Sequence, residues 1–128
     1  MKQNIMLTIT SLLLILFLTF HLADDIVYGY EPGGLSNLVG GVLISVVLLC
    51  GTLVLAGRRS GYIIMLLVGL FAAGMPVIHM RGAHYAEIAK SAGGFFFVWT
   101  LWALGGLGGL TFILSGRGLW TLRRGQPR

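Results

Sequence analysis

Three histidines and four carboxylates carry nearly all the ligating and proton-moving capacity of this sequence: His21, Asp24, Asp25, Glu31, His79, His84 and Glu87. Neutral imidazoles with carboxylates suit zinc first and copper or iron next, and His21, Asp25, His79 and His84 would supply a four-ligand set. Asp24, beside Asp25, would then be the spare carboxylate that takes a proton from metal-bound water. Within His21-Leu22-Ala23-Asp24-Asp25 the two aspartates stand at i+3 and i+4 from the histidine, and share its face if a helix continues through them. His79 and His84 are five apart, a spacing that converges only if the chain breaks at Arg81-Gly82. The lone Cys50 has no partner in the chain for a disulfide and reads as packing.

The elements that must position these residues are apolar. Of 128 residues, 56% are hydrophobic and 10% charged, and the mean hydropathy is +0.89. A water-soluble domain has more polar side chain than that. A bilayer core about 30 Å thick needs about 20 apolar residues per helix. Four such stretches occupy most of the chain, at 4–22, 35–56, 61–80 and 94–115. The expected fold is all-α, a single-domain four-transmembrane-helix bundle. The first stretch is too long for a signal-peptide core and lacks an A-x-A site before Asp24, so it reads as a retained helix.

Lys2, Arg58, Arg59, Arg117, Arg123, Arg124 and Arg128 flank one set of span ends, against Arg81 and Lys90 at the other. The positive-inside rule therefore puts both termini and the 57–60 turn in the cytoplasm. All seven acidic and histidine residues fall on the extracytoplasmic side, and the short loops suit a bacterial inner membrane. The net charge of +5 reads as attraction to anionic lipid rather than to nucleic acid. Tyr62 and Trp120 are expected at the inner interface, and Tyr28, Tyr30, Tyr85, Phe95, Phe96 and Trp99 near the outer one. Trp102 lies deeper, where its indole N–H would want a partner.

His21 and His79 end up at similar depth. Both spans run outward, and each histidine lies roughly 26 Å from the inner end at 1.5 Å per residue. Pro76, with Gly74 beside it, is expected to bend the third span one turn before His79. A short interfacial helix is expected over 83–90, with Tyr85 and Ile88 toward lipid.

In residue types alone, the three-histidine, one-aspartate set resembles the sites of membrane zinc hydrolases of the ceramidase and adiponectin-receptor type. Span count and spacing differ, so the resemblance implies a class of chemistry and no membership. A haem held between His21 and His79 matches the depth but lacks any C-x-x-C-H motif, and ranks below a bare metal ion. Other readings stay open. Titratable residues gather near water at any membrane interface. Four short helices also suit a small transporter, although small multidrug exporters carry a mid-membrane glutamate in the first helix and this chain has none. A noncatalytic subunit or assembly factor would use glycine faces. Gly105 and Gly109 form a G-x-x-x-G that serves either packing within the chain or a homo-oligomeric seam.

Overall fold

A computed structural model describes residues 2–30, 32–81 and 85–125, with side chains from residue 4 onward. All regular structure among these residues is helical. Helix α1 runs Lys2–Tyr28, α2 Leu35–Leu49, α3 Arg59–Met80, α4 Tyr85–Ile88 and α5 Gly94–Arg123. A π-helical turn, Cys50–Val54, extends α2. Four of these helices are long and apolar enough to cross a membrane. α1 and α3 finish at one end of the bundle, here the histidine end. Arg58, Arg59, Arg117, Arg123 and Arg124 mark the other, the arginine end.

Two helices outrun their apolar stretches. α1 continues through Asp24 and Asp25 to Tyr28, because the Asp25 side chain is buried rather than solvated and because Gly29 closes the helix. Gly29 adopts φ 63°, a left-handed conformation that glycine reaches without a Cβ penalty, and its N–H donates to the Asp25 carbonyl at 2.7 Å. α5 runs on to Arg123, where Arg124 lies 4.5 Å over the Trp120 ring.

The core stacks in layers. Toward the arginine end, Leu7, Tyr62, Met65 and Leu114 form one buried cluster. Leu14, Leu48, Ala72 and Leu104 form the next. Above them lie Phe97, Leu101 and Thr100, with His21 among them.

α5 binds the bundle together through backbone approach to α3. A Cβ placed on Gly108 would lie 2.5 Å from the Ala73 nitrogen and 2.8 Å from the Ala72 carbonyl carbon. One on Gly69 would lie 2.7 Å from the Phe112 nitrogen. Neither position can accept a side chain while the helices stay this close. α3 remains one helix through Pro76, whose ring fills the space opposite Gly105.

α2 is held differently. Gly41 receives the Leu22 side chain of α1, while Gly51 of the π turn packs on Ile64 and Met65 of α3. Toward the histidine end α2 and α3 spread apart, and a cleft opens between them.

Three sequence expectations are corrected. Tyr62 is a core residue, 4% exposed: its hydroxyl donates to Asn4 Oδ1 and its ring lies on Gly118, so the polar tip is satisfied inside the bundle. Ile88 is buried, because α4 is too short to stand apart and lays its apolar side chain inward. Trp102 faces outward, 55% exposed.

Candidate functional site

The site begins with His21, on the face of α1 that meets α5. Its ring is 3% exposed and packs on Phe97, with centroids 4.5 Å apart. A threonine hydroxyl has one hydrogen, and Thr100 donates it to the Phe97 carbonyl at 3.0 Å. The same oxygen therefore accepts from His21 Nδ1–H, at 3.1 Å. That fixes the tautomer, leaving a lone pair on Nε2.

His79 reaches the same state by a local route. Its Nδ1–H donates to the Met75 carbonyl, one turn back in α3, at 3.0 Å, and a carbonyl can only accept. Its Nε2 is thus also a bare lone pair. Neither Nε2 has a hydrogen bond among the described residues. The two rings lie edge to face, with centroids 5.5 Å apart and planes at 79°. Two imidazoles, each pinned through Nδ1, are oriented as metal-ligating histidines are.

Asp25 completes the polar lining. At i+4 from His21 on the continuing helix, it is 6% exposed and accepts from Asn37 Nδ2 at 3.3 Å. Asn37 also donates to the Pro32 carbonyl, at 3.4 Å, tying the loop before α2 to the end of α1. His21, Asp25, Ser36, Asn37 and His79 line one cleft of about 350 Å³ between α1, α2 and α3.

A clasp closes the neighbouring side. Ser91 donates its hydroxyl hydrogen to the Ile88 carbonyl at 2.7 Å, so Tyr30 donates to Ser91 Oγ, also at 2.7 Å. The Tyr30 ring stacks on Tyr28 at 5.3 Å and meets Phe97 edge-on at 5.1 Å. Phe97, behind His21, is thereby held from both sides.

The structure thus brings together His21, His79 and Asp25 from the sequence-derived set. Asp24 does not line the cleft; its Oδ2 is buried with no hydrogen-bond partner among the described residues. Glu87 lies on α4, and His84 and Glu31 fall outside the described residues. Among the described residues no group of three or more His, Cys, Asp or Glu side chains is close enough to hold a metal ion as it stands.

Sequence reasoning missed Thr100 and Asn37. Thr100 carried a usable signal, a hydroxyl about as far inside α5 as His21 is inside the end of α1. Asn37 carried none, since a polar residue at the start of a span usually faces water. No family model, curated protein or solved structure matches the chain.

Proposed function

We propose that the chain crosses a bilayer four times with both termini in the cytoplasm, and that His21, His79 and Asp25 form a seat for a divalent transition metal at the extracytoplasmic end. The bilayer reading is supported by large apolar side chains turned outward around the bundle, among them Leu35, Val27 and Phe95 at 77%, 76% and 81% exposure. Water would not tolerate so much apolar surface. Sidedness follows from the arginines.

One observation carries the metal reading: both Nδ1 hydrogens are committed to protein acceptors, and both bare Nε2 atoms belong to one cleft with a buried carboxylate. Two imidazoles are the resident donors, and a cation between them would draw Asp25 away from Asn37 to become the third. A tetrahedral ion then keeps one position for His84, water or a ligand. Zinc fits this donor set best, with copper or iron next. The protein is thus proposed as a metal-handling membrane protein or metalloenzyme. Asp24, turned out of the cleft, has no part in this site.

The test is elemental analysis of tag-free, detergent-purified protein, wild type beside His21→Ala and His79→Ala. Near-stoichiometric metal in the wild type, lost in both variants, is expected. Wild-type protein that stays metal-free after reconstitution with zinc, copper and iron would overturn the reading.

A further inference from the structure

The polar cleft does not stop at its polar residues. Leu18, Ile44, Phe71 and Met75 line it and also line a wholly apolar cavity of about 30 Å³ lying deeper in the bundle. Ile44 and Phe71 further border an apolar trough of about 260 Å³, bounded by Leu67 and Val68. Cleft, cavity and trough form one track in the gap between α2 and α3. From His79 to Leu67 it spans roughly 18 Å at 1.5 Å per residue, the scale of an acyl chain.

The two ends of the track differ in chemistry. The deep end offers hydrocarbon alone. The shallow end offers acceptors: two imidazole lone pairs and the Asp25 carboxylate. No lysine or arginine lines it among the described residues. A phosphate or carboxylate head would meet a like charge and find no cation, whereas hydroxyl hydrogens would find acceptors in place.

We propose that this track binds a lipid with an uncharged, hydroxyl-bearing head, of the monoacylglycerol kind, its head at His21 and His79 and its chain along Ile44 and Phe71. The proposal rests on the reading that the chain crosses a bilayer but not on the metal. A free Nε2 accepts a hydroxyl hydrogen directly, and a seated cation would take the hydroxyl oxygen at its open position.

The experiment uses the full chain, washed with chelator, in phosphatidylcholine nanodiscs, and a monoacylglycerol carrying a photoreactive diazirine in mid-chain. Incorporation into the discs checks the bilayer reading separately, and a chain that stays out of them overturns both. Labelling is expected to concentrate on Ile44, Val68 and Phe71 and to be competed by unlabelled monoacylglycerol. A phosphatidic acid probe with the same chain should label these positions at least about tenfold less, the worth of one or two hydrogen bonds. Gly40 lines the cleft and a Cβ there meets nothing within 4 Å, so Gly40→Leu should fill the cleft and suppress labelling without disturbing the helices. His79→Ala, whose ring is only part-buried, should weaken labelling by about tenfold. Equal labelling by the anionic probe, labelling spread evenly over the outward faces, or indifference to Gly40→Leu would mean bulk lipid only and overturn the proposal. Adducts between two protein chains through this gap would overturn it in favour of a second helix as occupant.

Discussion

α3 has two unlike sides. Toward α5 its backbone touches a backbone, at Gly69 and Gly108, and Pro76 nests against Gly105. Toward α2 it draws away, and the space holds a cleft lined by His21, Asp25 and His79. The first side is closed by small residues and leaves no room for a ligand. The second is kept apart by Ile44, Phe71 and Met75 and leaves room for one. Rigidity on one side is what allows a gap on the other, because a helix anchored along its length need not collapse into the space beside it.

Gly108→Val should break this comparison most severely. Its Cβ would meet the backbone at Ala72 and Ala73, which cannot yield as a side chain can. A loss of about 3 kcal/mol, or failure to fold, is expected, read from unfolding followed by circular dichroism in detergent. If Gly108→Val unfolds like the wild type, the two helices are not in backbone contact.

Thr100→Val comes next. It removes the hydroxyl that accepts from His21 Nδ1–H and should cost about 1 kcal/mol. The Phe97 carbonyl, freed of Thr100, can still accept. Metal content should fall further than stability does, because the ring loses its orientation while the bundle stays intact. A variant with wild-type metal content would show that Thr100 does not position His21.

Asn37→Leu should be milder, about 0.5 kcal/mol in stability. It releases Asp25 from its amide partner, and tighter metal binding is expected in a competition titration with a chelator. Weaker binding would mean that the amide holds the carboxylate in its binding position.

The smallest effect is expected at Gly109, the second glycine of the G-x-x-x-G. A Cβ there meets nothing within 4 Å, so Gly109→Ala should leave stability within about 0.5 kcal/mol of the wild type. The seam with α3 uses Gly108 instead. Gly109→Leu should likewise keep the fold, and light scattering in detergent should return an unchanged mass; a smaller mass would expose a self-association seam on this face.

The apolar runs and helix phase made the four long helices legible, together with the equal depth of His21 and His79. The end of α1 was not legible, because Asp24 and Asp25 read as a loop until Asp25 is seen buried beside Asn37. Tyr62 and Ile88 were misplaced for a related reason: amphipathic residues near a span end fit an interface and a capped core equally well, and tertiary partners decide between them. The gap between α2 and α3 left no trace at all. An apolar residue facing lipid and one facing an open cleft have the same composition and the same spacing.

The π turn at Cys50–Val54 has a consequence for that gap. The Leu55 N–H donates to the Cys50 carbonyl at 2.9 Å, closing a turn with one residue more than an α-helical turn holds. One extra residue rotates everything beyond it by about 100°. α2 therefore presents Gly41 to α1 before the turn, while Gly51 within it faces α3. A helix of constant phase would have one inward stripe and one set of neighbours. This phase slip gives α2 two in succession, so it can close the floor of the bundle against α3 and still stand clear of it at the top.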